Sequence, residues 1–562
     1  MKHLKAMAAM SMALCLALAS CSSGSGAGTT AAAGGATTAA AGETTAAAGE
    51  SGAAGGEAQA GGTLRVGQPS APVNLNIWTH NDQAAYSIMS LVCPFPLQIN
   101  EEGIKENYLV KEVTNNEDAT EFTVTFRDDL VWSDGTPLTS EDVKFTCDYM
   151  LEHKLSYAPS FLSLVENCEI KDEHTVVYHL SASNVNFYNS AGYWIPIMPK
   201  AEFEKETDPM NHTYSGIGYG PFYVDDYVQG EYCVLKKNPY FTMANDGKGA
   251  LLDEIVFSVY SDENAVILAL QNGEIDTSSN FITVAAQNQL QNNASFELLS
   301  VQSLGYGFIS FCQNNTLLQD ANLRKAMAMA MDRDAICTVA YQGGAEPMTH
   351  PISQVWADFV KSDIKQPAFD LDGANALLDQ AGYTDANGDG IREASDGTPL
   401  QFTMTYRNTL ANVDSIMEIL RSDFQKIGIG MDLSPVDATT FTANVTQGHD
   451  YDLSYALWAT IDDVDTTIYT IYGIGQQLNY MDFNNQEMDD LLMKAKTTMD
   501  RNERIAIMDE WQKLFVENLP TVNLLVASNV YPVNTEKFGG WGIVPGVSGP
   551  LTVTKMVNVY AK

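Results

Sequence analysis

The stretch from Glu121 to His153, EFTVTFRDDLVWSDGTPLTSEDVKFTCDYMLEH, is the most restrictive part of the chain. Its first part alternates apolar and polar residues, the period of a strand with one buried face. Asp134-Gly135 supplies the chemistry of a chain reversal, and Pro137 fixes the exit. Ser140 stands where a helix N-cap is expected. Glu141 and Asp142 follow in the first turn, where the positive end of a helix favours carboxylates. Val143, Phe145, Met150 and Leu151 then supply much of an apolar face. A strand, a tight turn and a capped helix in succession belong to a mixed α/β chain. The acidic cluster Asp128, Asp129, Asp134, Glu141 and Asp142 therefore reads as scaffold, not as a catalytic acid pair.

The same grammar continues along the body. TLRVG (Thr63–Gly67) reads as a first strand, and DEIVFSVYS and QFTMTYR as later ones lying between helices. NLRKAMAMAMDRDAICTVAY has the helical period, with Ala and Met on the buried side. VDSIMEILRSDFQKIGI is an amphipathic helix stopped at Gly428. MDDLLMKAKTTMDRNERIAIMDEWQKLFVENLP reads as two helices. No internal repeat is evident, and a length of 562 residues predicts more than one domain.

The N-terminus speaks to location. Lys2 and Lys5 precede a short apolar run that ends Leu18-Ala19-Ser20-Cys21. The run is shorter than the ~20 residues a spanning helix needs and has the layout of a signal peptide over residues 1–20. Its ending resembles the bacterial lipobox, which implies lipidation of Cys21 and cleavage before it. From Ser22 to Gly61 the chain is nearly all Gly, Ala, Ser, Thr and Glu, without the apolar side chains that offset ordering entropy. Such a tether reaches roughly 35 Å. The expectation is a protein anchored to the cell membrane and facing the extracellular or periplasmic side.

The formal charge is −39, from 31 Lys+Arg against 70 Asp+Glu. A field of that sign repels nucleic acid, and no basic tract escapes it. The body cysteines, Cys93, Cys147, Cys168, Cys233, Cys312 and Cys337, form no CxxC pair, which argues against zinc. Their spacing leaves disulfides and buried free thiols both open. No HExxH, P-loop or GxSxG elbow is present. Gly216, Gly218 and Gly220 read as turn glycines, because Pro221 and a strand follow them where a nucleotide loop needs a helix.

Several segments together resemble the family-5 extracellular solute-binding proteins, the oligopeptide- and dipeptide-binding type that serves ABC importers. GGTLRVG looks like the family's opening strand, and FRDDLVWSDGTPLTSEDVKFT (Phe126–Thr146) like its most diagnostic segment. GYGPFYVDDYVQGEYCVLKKNPYF, LQDANLRKAMAMAMDRDAI, LLDQAGYTDANGDGIRE, KIGI and YDLSYALW follow in the family's order. The resemblance implies a two-lobed, periplasmic-binding-protein-like α/β fold of class II type, with an extra domain inserted in one lobe. Domain I is expected to combine residues 62–100, 215–305 and 530–562. Domain II is expected at 101–214 and domain III at 306–529, with crossings near SLGYGFIS and ASNVYPV. Closure of such lobes on a ligand needs no catalytic group.

The resemblance also places candidate ligand residues. In peptide-binding relatives a Trp-x-x-Asp segment holds the peptide's ammonium. Here LWATIDDVD keeps Trp458, but Ile461 stands three residues later and the carboxylate is displaced to Asp462. Asp462 is either the displaced clamp for a cationic group or part of a solvated loop with Asp463 and Asp465. Trp458 is expected to line the cleft, as are His80 in the first loop and Tyr306 at the first crossing. Asp385, Asn387, Asp389 and Gly390 match the first half of an EF-hand loop. However, position twelve is Asp396 and a strand follows, so a turn and a calcium site are both open. No other cofactor is expected. The function read from these residues is a lipoprotein that captures oligopeptides or dipeptides and delivers them to a permease. It is expected to act as a monomeric binding subunit and not as an enzyme. The alternatives are a binding protein of the same fold for an oligosaccharide or metal chelate, or a ligand-sensing surface lipoprotein.

Overall fold

The computed structural model describes residues 60–79, 82–156, 158–458, 461, 464–546 and 549–562. The segments expected as signal peptide and linker up to residue 59, with Cys21, lie outside them, as do His80 and Asp462. Residues Glu57–Lys562 form one compact unit.

A 12-stranded sheet organises this unit, and the strand Thr521–Asn534 lies in its middle. Its sequence, TVNLLVASNVYPVN, is mainly apolar and nearly all buried, as a strand covered on both faces must be. Its first half pairs with Gly307–Phe311 and Ala345–Pro347. Its second half pairs with Phe296–Gln302 and, at Val533, with Thr277. Beyond Gly307–Phe311 the order runs Leu453–Leu457, Gln401–Arg407 and Gly430–Val436. On the other side it runs Thr277–Ser278, Thr63–Gln68, Glu254–Val259, Tyr232–Lys237 and Phe222–Val228.

Two large cores flank that strand. One draws its buried residues from Tyr306 to Val526. The other draws them from Leu64 to Phe257 and from Phe538 to Val559. The strand itself contributes Val522, Leu524, Leu525 and Val526 to the first core, and Val530 to a small third cluster with Val266 and Leu290. The body is thus two-lobed: the first lobe holds the core from Leu64 to Phe257 and Phe538 to Val559, and the second lobe holds the core from Tyr306 to Val526. The strand Thr521–Asn534 and the short run Ser303–Tyr306 pass between the lobes.

The diagnostic segment folds inside the second of these cores. Val110–Asn115, Glu121–Phe126, Thr175–Leu180 and Val165–Asp172 make a four-stranded antiparallel sheet in that order. Phe122, Val124 and Phe126 point inward at period two. The helix Ser140–His153 packs on this sheet through Val143, Cys147 and Met150. Its N-cap is Thr139 and not Ser140. Thr139 has extended backbone and accepts from the Glu141 N–H, while Asp142 accepts the Thr139 N–H in return. Ser140 instead donates to the Asp172 carbonyl at 2.6 Å. A complete capping box outcompetes a lone serine one residue later.

The run Asn322–Tyr341 is also not one helix. The α-helix Ala321–Ala330 stops at Met331, whose backbone is extended, and Asp332 caps a new start by accepting from Ala335 at 2.8 Å. A π-helical turn, Ile336–Ala340, follows. Two buried arginines in this region are structural. Arg324 donates to the carbonyls of Leu318, Asn518 and Leu519, so it holds the C-terminal end of the helix Arg501–Asn518. Arg333 donates to Asn523 in the central strand at 3.1 Å. Within the glycine-rich run, Gly218 allows a close approach of two backbones, since a Cβ there would sit 2.3 Å from the Val92 carbonyl oxygen. The six body cysteines are buried free thiols.

Candidate ligand-binding cleft

Between the lobes lies a cavity of about 600 Å³. One wall is the segment Phe281–Gln287, which leads into the helix Val284–Leu290 of the first lobe. The floor is the two crossing segments, through Ser303, Tyr306, Ser528 and Asn529. The opposite wall comes from Tyr341 to Gly344 and from Arg407, Asn412, Leu457 and Trp458.

The local fold explains why these residues meet. Gln401–Arg407 runs parallel to both Gly430–Val436 and Leu453–Leu457. Arg407 and Trp458 therefore stand at the carboxyl ends of neighbouring parallel strands, the usual place for ligands in an α/β sheet. The π-helical turn Ile336–Ala340 delivers Tyr341 into the same wall.

Trp458 is held flat. Its ring stacks on Phe308 with centroids 5.1 Å apart and planes 8° from parallel. Its backbone N–H donates to the Tyr306 carbonyl at 3.0 Å, while its indole Nε1 is buried with no hydrogen-bond partner. Tyr306 lines the cavity but is only 4% exposed. Burial pushes its phenol well above the ordinary range, and its hydroxyl pairs with Tyr472. The expectation for Trp458 and Tyr306 thus corresponds to two groups that the structure brings together.

The rest of LWATIDDVD divides. Ile461 is 2% exposed and belongs to the second-lobe core, with its N–H bonded to the Leu304 carbonyl at 3.1 Å. It offers no carboxylate to the cleft. Asp462 and Asp463 lie outside the described residues, as does His80. His449 does not line the cavity and pairs with Asp482 at 2.7 Å.

Two groups escaped the sequence reading. Arg407 is the only charged residue among the described cavity lining, in a chain of net charge −39. Its guanidinium has no hydrogen bond or ion pair among the described residues, and its Nε is buried unpartnered. Phe441 covers one face at 5.7 Å. Asn412, with φ +61°, opens the helix Val413–Gln425 beside it without a side-chain cap, so the positive helix end adds to the same potential. A lone arginine at the carboxyl end of QFTMTYR was the legible signal. The second group, Phe281, had none.

The loop Asp385–Glu393 lies elsewhere. Oxygens of Asp385, Asp389 and Glu393 come within 4.8 Å of one another, with Glu393 rather than Asp396 folding back onto the loop. All their oxygens accept bonds from the loop itself. Asp385 accepts from Gly388 and Gly390, and Asp389 from Ile391 and Asn387. Glu393 accepts from Ala386 and Asn387. The arrangement is a turn wired by its own donors.

The comparisons with known proteins fall on this architecture. The family described as bacterial extracellular solute-binding proteins, family 5 Middle, matches residues 106–479. The oligopeptide-binding protein AppA of Bacillus subtilis is 26% identical over 499 residues, covering 85% of this chain and 89% of that protein. Its structure in complex with a nonapeptide superposes with a TM-score of 0.69 at 24% identity, covering 90% of this chain and all of that one. A probable D,D-dipeptide-binding periplasmic protein of Escherichia coli, DdpA, is 23% identical over 75% of this chain and 80% of its own length. A mannohexaose-bound periplasmic oligopeptide-binding protein from Thermotoga maritima gives a TM-score of 0.66 at 20% identity, covering 89% of this chain and 98% of that one. A cleft between two lobes that are joined through one continuous strand fits what these matches share: the chain is a member of the family-5 extracellular solute-binding proteins.

Proposed function

We propose that this protein is the substrate-binding subunit of an ABC importer, that it captures peptides between its lobes, and that it hands them to a membrane permease. The observation that carries the peptide reading is the composition of the cleft. Its walls are mainly apolar and aromatic, and its one charged group among the described residues is Arg407, without a partner. A peptide brings side chains for the walls and a terminal carboxylate for the guanidinium. The printed functions of AppA and DdpA support the same class. The flat face of Trp458 would equally stack on a sugar ring, which keeps an oligosaccharide as the second reading. An uncharged sugar leaves Arg407 unanswered, so peptides are favoured.

The body works as a monomer held at the cell surface by a lipid on Cys21, in this proposal. The Lys2–Cys21 layout and the Gly/Ala/Thr linker support the anchor. No helix among the described residues is long and apolar enough to cross a membrane.

The test is native mass spectrometry of purified residues 57–562, followed by denaturation to release what co-purified. A mixture of short peptides is the expected result. Released sugars, or no ligand and no thermal shift with a peptide library, would refute the peptide reading.

A further inference from the structure

Phe281 is 49% exposed, and among the described residues it is the only exposed large apolar side chain that lines the cleft. Its exposure is not slack in a loose loop. The neighbouring Ile282 is 3% exposed, and its N–H donates to Val530 of the central strand at 2.8 Å. Thr283 donates to Glu263 through its N–H at 2.7 Å and its hydroxyl at 2.8 Å, and it caps the helix Val284–Leu290. On the other side, the Asn280 N–H donates to the Ser278 hydroxyl at 3.2 Å. With both neighbours tied down, the ring is held out of the core. Its one ring contact among the described residues is an edge-to-face approach to Tyr531 at 6.4 Å.

The same segment touches the opposite lobe. A Cβ on Gly344 would lie 2.8 Å from Val284 Cγ2, and Asn288 donates to Gln342 at 3.5 Å. Phe281 is therefore carried by the part of the first lobe that meets the second. On the second lobe the flat wall is Trp458, backed by Phe308. An exposed aromatic ring costs free energy in water unless something covers it, and a ligand between the lobes is what the geometry offers.

We propose that Phe281 sets the specificity of the cleft: on closure its ring covers an aromatic or large aliphatic group of the ligand lying against Trp458. Ligands with such a group are selected over those with only small side chains. For peptides this rests on the functional reading above, and the experiment separates the two.

Residues 57–562, as wild type, Phe281→Ala and Phe281→Leu, are titrated calorimetrically with Ala-Ala-Phe-Ala, with tetra-alanine, and with the aromatic anion 1-anilinonaphthalene-8-sulfonate. The expected result is that wild type prefers the phenylalanine peptide by about tenfold, that Phe281→Ala abolishes the preference, and that Phe281→Leu keeps most of it. Loss of both peptides equally in Phe281→Ala, or a preference that survives it, overturns the role of Phe281 and leaves the peptide reading standing. If wild type binds neither peptide, the peptide reading falls and the sulfonate decides. Weaker sulfonate binding in Phe281→Ala then supports Phe281, and unchanged binding overturns it.

Discussion

Replacing Arg407 by methionine tests the charge logic of the cleft, because binding and stability are expected to move differently. The guanidinium has no hydrogen-bond or ion-pair partner among the described residues, and its buried Nε is unsatisfied. An unsatisfied buried donor costs about 1–3 kcal/mol. Methionine removes that cost, keeps the apolar stem, and gives up a cation–π contact with Phe441 that is worth about 0.5–1 kcal/mol. The ligand-free protein should therefore melt at the same temperature or slightly higher. With ligand, the lost group is a charge-assisted bond to a carboxylate, worth about 2 kcal/mol, which is roughly thirtyfold in Kd. The assay is calorimetric titration with a peptide found to co-purify, run against the same peptide with its C-terminus amidated. Wild type should lose roughly thirtyfold on amidation, while Arg407→Met should lose almost nothing more, as coupling between two interacting groups requires. A variant that melts several degrees lower and discriminates the amide as wild type does would refute the reasoning. Arg407 would then be a packing residue.

Three further outcomes follow from other parts of the molecule. Gly344→Ala places a methyl 2.8 Å from Val284 Cγ2 across the lobes and 3.1 Å from the Tyr341 carbonyl oxygen beside it, so it should weaken ligand binding about five- to thirtyfold and lower the melting temperature by no more than a few degrees; small-angle scattering that shows normal closure would count against this. His350 is 7% exposed with Nε2 unpartnered, and burial, with Lys365 second, lowers its pKa. Below about pH 6.5 the unfolded chain takes up a proton that the folded one refuses, so stability falls with pH, and wild type should lose more melting temperature than His350→Gln between about pH 7.5 and 5.5. Millimolar calcium should leave the melting temperature unchanged, since every oxygen of Asp385, Asp389 and Glu393 already accepts a loop donor; a rise abolished by Asp389→Ala would make the loop a cation site.

The scaffold motifs are explained by ordinary local physics. Asp134 accepts the Thr136 N–H at 2.9 Å and shapes its turn, and Asp142 completes the capping box of Thr139. Arg324, within the family-like helix, spends its charge on three backbone carbonyls, and burial pushes its pKa down to about 10. The diagnostic segments are therefore recognisable because they fix turns and helix ends. They carry little information about the ligand.

What the sequence by itself determined were the local elements and the class. Alternation in EFTVTF, the helical period of VDSIMEILRSDFQKIGI and the ordered motifs need only neighbouring residues, and the structure forms the strand Glu121–Phe126 and the helix Val413–Gln425 accordingly. It erred where two local signals competed, at Thr139 against Ser140 and at Asp332 within a helical period. Only the tertiary structure decided which residues share the cleft. Phe281, Arg407 and Trp458 are far apart in the chain, and they converge because one buried strand, Thr521–Asn534, hydrogen-bonds to sheet segments of both lobes. Such pairing is non-local and leaves no period in the sequence. Ile461 shows the limit from the other side. Its place three residues after Trp458 was legible, but only packing revealed that it is core and brings no charge to the ligand.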